Sequence, residues 1–404
     1  MYDDVSQLVR DAEMDELQLE QSRLDIIDRS RTSRLPWRGQ FSPELIEYLL
    51  ETVCPKASVV FDPFCGSGTV LFETAQRGGL GIGVEVNPAA WHLASLASFC
   101  ALASEQQGFV RNKLHILREK LVRKGDLFSH PFTPDDLSAL IASSGTDPML
   151  RTCLAAVMLL GMGDKSDWTV DAAARGLIAV EALLRDLATY TGTGISYLAD
   201  ARSTPLEAQS VEAVVTSPPY INVFNYHQNY RPAAELLGWL PLEAAQSEIG
   251  ANRKHRMNRF LTVVQYCLDM AQALDEMSRV CKIGSPVVMV IGRESNVLGA
   301  AFRNADLLMR LMKSSQAFDI RQSVERVFTN RFGQRIYEDI IVARCAGHAR
   351  IALDFARSIG TDALDAAMAS VPDKNEMALE AARAMSSNVQ PSRLLSITQP
   401  NAFA

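Results

Sequence analysis

Two short stretches hold residues whose types and spacing suit chemistry. In the first, Val59-Val60-Phe61-Asp62-Pro63-Phe64-Cys65-Gly66-Ser67-Gly68-Thr69, an apolar run ends in an acid, a tight turn with two glycines follows, and a helical pattern opens at Val70. In open α/β sheets a ligand binds outside the carboxyl ends of the strands, beside such a turn. Glycines at 66 and 68 remove Cβ atoms where a ligand must touch backbone. The turn has neither the GxGxxG spacing nor the Gly-Lys-Ser/Thr ending of a phosphate loop. An acid stands at its start instead, which suits an ammonium group better than a pyrophosphate. A purely structural strand-to-helix turn is the bland alternative.

In the second stretch, an apolar run from Val211 to Thr216 leads straight into Ser217-Pro218-Pro219-Tyr220. Two prolines stiffen the chain and remove two N–H donors, so the neighbouring carbonyls keep fixed directions. A serine hydroxyl and a rigid carbonyl can together accept both hydrogens of an exocyclic amine. Tyr220 offers a flat face on which a planar ring can stack. A plain Pro-Pro turn is the alternative here.

The elements that must position these residues read as an interrupted α/β pattern. Ser42 is a good N-cap and Pro43 fits the first helical position of a helix to about Thr52. A strand at 58–62 and a helix at 67–77 follow, then a second strand from Gly81 to Val86 that carries Glu85 at its end. An acid there accepts from ribose hydroxyls in nucleoside-binding sheets; a solvated turn glutamate is the other reading. Residues 102–190 look all-helical and form a helical insertion. Its Arg111 to Lys124 stretch has six Lys/Arg against one Glu and reads as a solvated amphipathic helix. The pattern resumes with a third strand from Gly194 that ends at Asp200, followed by the fourth strand, 211–216. A long helix at 258–281 is apolar at helical spacing and ends before Gly284. A fifth strand at 287–291, a helix near 304–314 and two strands around 318–328 and 336–344, turning near Phe332, complete the pattern. Residues 1–34 read as an N-terminal helical arm, and 349–404 as a mobile C-terminal tail.

Composition excludes several classes. The 404 residues are 48% apolar and 22% charged, ordinary for a globular chain. No apolar run is long enough for a membrane span, and the acidic start lacks the marks of a secretory signal. Seven scattered cysteines without a CxxC pair read as reduced thiols of a cytoplasmic protein. Six histidines without ligand spacing predict no metal site. A net charge of −7 argues against coating nucleic acid over the whole surface but permits a local basic groove. Arg253, Lys254, Arg256 and Arg259 form such a stretch shortly after Tyr220, with Arg326, Arg331 and Arg335 a weaker second patch.

The order of these motifs resembles the S-adenosylmethionine-dependent DNA amino-methyltransferases, which make N4-methylcytosine or N6-methyladenine. Asp62 to Thr69 matches that family's cofactor loop, and Thr216 to Tyr220 its catalytic tetrapeptide with the preceding residue. Asp200-Ala201-Arg202 resembles its adenine-holding segment, and Phe41-Ser42-Pro43 its helix start over the methionine end. The resemblance covers about 36–100 and 194–345. It implies a Rossmann-like, mostly parallel seven-stranded sheet with helices on both faces, divided as 35–101 and 191–348. The 102–190 insertion lies outside the resemblance and departs from the family's usual placement of target recognition, after the cofactor or the catalytic motifs; it is a candidate target-recognition segment all the same. It also implies a cofactor site of Phe41, Asp62, Pro63, Phe64, Gly66, Ser67, Gly68, Thr69, Glu85, Asp200 and Ala201. In that site Asp62 takes the methionine ammonium, Glu85 the ribose and Asp200 the adenine amine.

Ser217, Pro218, Pro219 and Tyr220 would then hold a base flipped out of duplex DNA, as DNA methyltransferases require. The Ser-first tetrapeptide favours N4 of cytosine over N6 of adenine. Double-stranded DNA is the expected partner, and a cognate restriction endonuclease a candidate one. The competing functions are an RNA amino-methyltransferase and a non-catalytic DNA-binding subunit on the same fold. C5 methylation is excluded, because it needs a nucleophilic cysteine after a proline and no Pro-Cys pair occurs.

Overall fold

The computed structural model describes residues 18–27, 31, 33–37, 39–123, 133, 136, 139, 147–221, 225–251, 255–330 and 333–396. Much of the expected arm (1–17), parts of the insertion, Arg253, Lys254, Arg331 and Phe332 lie outside them. In the first half, α1 (Gln21–Asp25) and α2 (Pro43–Thr52) lead into β1 (Val59–Asp62), α3 (Thr69–Gln76), β2 (Leu80–Glu85) and α4 (Pro88–Ser95). Pro43 and Pro88 each sit in the first turn of their helices, where the missing N–H costs nothing. Asn87 caps α4 by accepting from the N–H groups of Ala89 and Ala90.

The insertion is helical as expected: α5 (Ser104–Arg123), α6 (Pro148–Met162) and α7 (Val170–Leu187). The sheet resumes with β3 (Thr193–Leu198) and β4 (Ala213–Thr216). After short helices α8 (Arg231–Leu236) and α9 (Pro241–Ala244) comes the long α10 (Leu261–Val280). Then follow β5 (Pro286–Gly292), a small hairpin of β6 (Glu294–Val297) and β7 (Ala300–Arg303) that the sequence did not announce, α11 (Asn304–Ser315), β8 (Phe318–Thr329) and β9 (Arg335–Cys345).

Seven strands form one sheet in the order β3-β2-β1-β4-β5-β9-β8. All are parallel except β9, which runs antiparallel to both neighbours. The order reverses between β1 and β4, which makes the carboxyl ends of those two strands the switch point where a crevice must open. Strand alternation sends Phe61 to the face covered by α10 and α11 and Val60 to the face covered by α2. Apolar helices therefore pack on both faces, the Rossmann-like arrangement expected.

One expectation fails. The described part of the segment after 349 is not a mobile tail: α12 (Leu353–Ala367) and α13 (Asp373–Met385) pack on the sheet domain, and Ile359, Leu364 and Leu379 are fully buried; residues 397–404 of the expected tail lie outside the described residues. The reason lies in α10, whose residues 261–271 are all buried, Thr262, Gln265 and Tyr266 included. The sheet covers only one side of such a helix, so a second layer must cover the other. α12 supplies it.

Candidate active site

The first informative turn is held from both sides. Asp62 ends β1, is 1% exposed, and accepts at Oδ1 from Thr216 Oγ1 at 2.6 Å and from Phe64 N at 3.0 Å. The Thr216 bond crosses the switch point, tying the end of β1 to the end of β4. Among the described residues no donor reaches Asp62 Oδ2. Glu85 ends β2 and accepts from Gly66 N at 2.9 Å and Asn87 N at 2.8 Å, so it braces the turn as well as facing the crevice. Gly68 differs from its expected role. It does not line the crevice; at φ 91° a Cβ there would lie 2.9 Å from Ala94 Cα, so it serves the close packing of α3 on α4. Gly68→Ala is expected to destabilise the fold by roughly 2 kcal/mol or more through strain and backbone contact, read as a lower denaturant midpoint.

These residues surround a crevice open to solvent. Its walls include Phe41, Asp62, Pro63, Phe64, Gly66, Ser67, Thr69, Glu85, Asp200, Ala201, Ser217, Pro219 and Tyr220, so the structure brings both stretches together around one cavity. Pro218 is buried behind the wall rather than lining it. Tyr226, one of the polar and aromatic groups at 225–231 that the sequence places beside the site, also lines it, as do Trp37, Gln40 and Glu248, which were not singled out from the sequence. Trp37 stacks on Tyr230 with centroids 5.9 Å apart and planes within 10°. No local pattern announces that pairing, because the partners come from opposite ends of the domain.

The crevice is acidic. Burial pushes the carboxyl of Asp62 up to about 7, partly opposed by the Thr216 and Phe64 bonds. Burial does the same to Glu85, also to about 7, and the nearby Glu248 adds to the rise. Glu248 is itself buried and bonded to His227, with its Oε1 accepting from His227 N at 2.5 Å and its Oε2 2.9 Å from Nδ1. An underbonded acid that burial makes reluctant to ionise favours a cationic ligand, which restores the charged form. A sulfonium with an ammonium group meets that requirement. Among the described residues no cluster of three or more His, Cys, Asp or Glu could hold a metal ion.

Asp200 lines the crevice, but its carboxylate is heavily used. Oδ1 accepts from Arg202 N at 3.0 Å and Nε at 2.8 Å; Oδ2 accepts from Arg202 Nη2 at 2.7 Å and Leu395 N at 3.1 Å. At the other wall the Tyr220 hydroxyl donates to Glu338 Oε1 at 3.4 Å and also bonds Ser217. Burial holds that phenol well above its usual range, so the ring is a neutral surface.

Of the basic residues, Arg256 and Arg259 are exposed and among the described residues have no acidic partner. Their segment begins beside the site: a Cβ on Gly250 would lie 2.7 Å from the Tyr220 carbonyl oxygen. Arg326 is withdrawn from the second patch. It is 4% exposed, pairs with Glu338, and donates from Nε to Leu24 O at 2.6 Å, because α1 covers that edge of β8. Arg335 stays exposed.

Residues 16–95 match the family model for DNA methylases. A curated relative, the type II methyltransferase M.MjaII of Methanocaldococcus jannaschii, is 38% identical over 53 residues, 13% of this chain. The match spans only 10% of that relative's length. Among solved structures, an S-adenosylmethionine-dependent methyltransferase from Methanosarcina mazei overlaps 72% of this chain and 92% of its own at 13% identity and a TM-score of 0.34. TrmN from Thermus thermophilus overlaps 76% of this chain and 50% of its own at 14% identity and a TM-score of 0.33. Overlaps this loose carry no weight about activity.

Proposed function

We propose that this chain, a member of the amino-methyltransferase family, transfers a methyl group from S-adenosylmethionine to the exocyclic amine of a base flipped out of duplex DNA, with N4 of cytosine the preferred target. The observation that carries the reading is the 2.6 Å hydrogen bond between Thr216 and Asp62. It fixes an acid suited to an ammonium ligand one residue away from a Ser-Pro-Pro-Tyr segment suited to an aromatic amine.

When bound, the cofactor supplies an electrophilic methyl on a sulfonium. Asp62 takes the ammonium through Oδ2, Glu85 the ribose hydroxyls, and the Asp200 and Ala201 wall the adenine. The N-terminus of α3, with Ser67 and Thr69 in the crevice, suits the ligand's carboxylate.

An aromatic amine is a poor nucleophile because its lone pair is delocalised into the ring. The Ser217 hydroxyl, in the crevice wall, accepts one of its hydrogens and favours a pyramidal nitrogen whose lone pair points at the methyl; the Pro218 carbonyl, the second acceptor the sequence suggests, belongs to a residue behind that wall and has to be reached past it. Tyr220 stacks on the base and fixes its plane. Such positioning is worth effective molarities on the order of 10⁵ M or more in good cases. As the N–C bond forms the S–CH3 bond would break, its electron pair going to sulfur to leave the neutral thioether S-adenosylhomocysteine; the amine, then cationic and acidic, gives its extra proton to solvent, so no strong base is needed. Arg256 and Arg259, with Arg253 and Lys254, give the phosphate contacts that position without reading sequence. The Ser-first tetrapeptide supports cytosine over adenine.

Incubation with methyl-labelled cofactor and duplexes of varied sequence tests this. Label in DNA at N4 of cytosine is the expected result. Label in structured RNA alone, or no transfer to any nucleic acid, would sink the DNA reading.

A further inference from the structure

We propose that the C-terminal segment 390–395 is a working part of the ligand pocket, tying its Asp200 and Ala201 wall to the 247–249 wall, so that adenine-side affinity depends on residues 190 positions downstream of Arg202. The proposal rests on the reading of the crevice as a nucleoside-bearing cofactor site.

The anchor is Arg202, whose side chain is 0% exposed. All five of its guanidinium N–H groups are used. Nε and Nη2 donate to Asp200 at 2.8 and 2.7 Å, and Nη1 donates to Asp269 Oδ1 at 2.9 Å. The remaining two donate to the carbonyls of Ser392 and Arg393, both at 2.8 Å. One guanidinium thus faces two buried carboxylates, which leaves the cluster short of positive charge. The C-terminal segment supplies the missing donors. Ser392 N reaches Asp269 Oδ1 at 2.6 Å, Ser392 Oγ reaches Asp269 Oδ2, and Leu395 N reaches Asp200 Oδ2 at 3.1 Å. Buried carboxylates without such donors are costly, so the segment and the acids hold each other.

The same segment also reaches, through a surface bond, the neighbour of a second stretch of the wall. Arg393 Nη1 donates to Gln246 Oε1 at 3.2 Å, next to the crevice-lining Ser247, Glu248 and Ile249. Gln265 of α10 fixes its near end by donating to Gln390 O at 3.1 Å. Through these bonds the 390–395 segment joins Asp200 of the pocket wall to Gln246, the neighbour of Ser247. Arg202, Asp269 and Ser392 are positioning residues: they act on a ligand through Asp200 and Ala201.

The test uses the full-length chain with Asp269→Asn, which turns an acceptor of three hydrogen bonds into a group with its own donors, and Leu395→Pro, which removes one N–H at a half-exposed position. Calorimetric titration compares S-adenosylhomocysteine with 5′-methylthioadenosine, which keeps the adenine and ribose but lacks the amino-acid end. Both ligands are expected to bind more weakly by the same factor, on the order of tenfold, while the pH dependence that Asp62 gives to S-adenosylhomocysteine is retained. Should Asp269→Asn fail to fold, Leu395→Pro decides alone. Folded variants that bind both ligands within about twofold of the parent overturn the proposal. A parent chain that binds neither ligand overturns the cofactor reading itself, and this inference with it.

Discussion

Asp62→Asn is expected to make the free protein more stable at pH 8 and to weaken S-adenosylmethionine binding on the order of 100-fold or more. The amide keeps the acceptor for Thr216 Oγ1 and Phe64 N and removes a charge that burial disfavours. The folded carboxyl sits near 7, above its ordinary value of 3.8. Ionisation therefore opposes folding: the cost is absent below about pH 4, grows as pH rises toward 7, and is constant above it. The gain from the amide follows the same window and vanishes in acid. Binding runs the other way, because a ligand ammonium needs the ionised form. Affinity of the parent chain is expected to rise about tenfold per pH unit up to about 7, then level until the ligand's own amine deprotonates near 8. Losing one partner of a buried charge pair costs roughly 2–5 kcal/mol, which sets the size of the affinity loss. Thermal melts and calorimetric titrations from pH 5 to 8 check both arms. A variant less stable than the parent at pH 8, or one that still binds with the parent's pH slope, contradicts the assignment.

Ser217→Ala is expected to cut the methyl-transfer rate at saturating cofactor and DNA on the order of 100-fold, the scale of losing one preorganised polar group at a reacting centre, and Tyr220→Ala on the order of 10- to 100-fold, the scale of losing the stacking of one base on an aromatic ring. Cofactor affinity should stay within about threefold, since neither residue is assigned to that ligand. Tyr220→Phe separates ring from hydroxyl. The hydroxyl is at the limit of bonding distance from Glu338, at 3.4 Å, and also bonds Ser217, so a stacking role predicts that Phe retains most of the rate, less whatever orienting the Ser217 hydroxyl draws from that bond. Single-turnover kinetics with labelled cofactor read these steps directly. If Phe were as damaging as Ala, the phenol rather than the ring face would carry the function.

Much of the site was legible because it is local. Asp62 to Thr69 is a strand, a turn and a helix start within a dozen residues, and the chemistry of each residue type is set by that geometry alone. The same holds for Ser217 to Tyr220, where the prolines fix the backbone regardless of what surrounds it. The basic stretch was legible as charge, but its nearness to Tyr220 follows from the Gly250 contact, which spans thirty residues. Trp37 stayed hidden because its partner is Tyr230. Arg326 was misread because sequence shows a charge without showing that α1 buries it. The C-terminal helices were misread because weak local patterns gave no sign of the layer that α10 requires, although the long apolar run on more than one face of α10 was the available clue.

By itself the sequence determined which strands the sheet has to within a residue or two of their ends (β3 stops at Leu198, two residues before the Asp200 expected to end it), the acids and glycines near those ends, and the chemistry those groups favour, since strand period, turn stiffness and residue type act over a few bonds. Only the tertiary structure decided that Thr216 closes on Asp62 across the switch point, that burial raises Asp62 and Glu85 together, and that the C-terminal segment reaches Asp200. Those facts depend on which distant groups exclude water from one another, and desolvation has no signature in the order of residues along a chain.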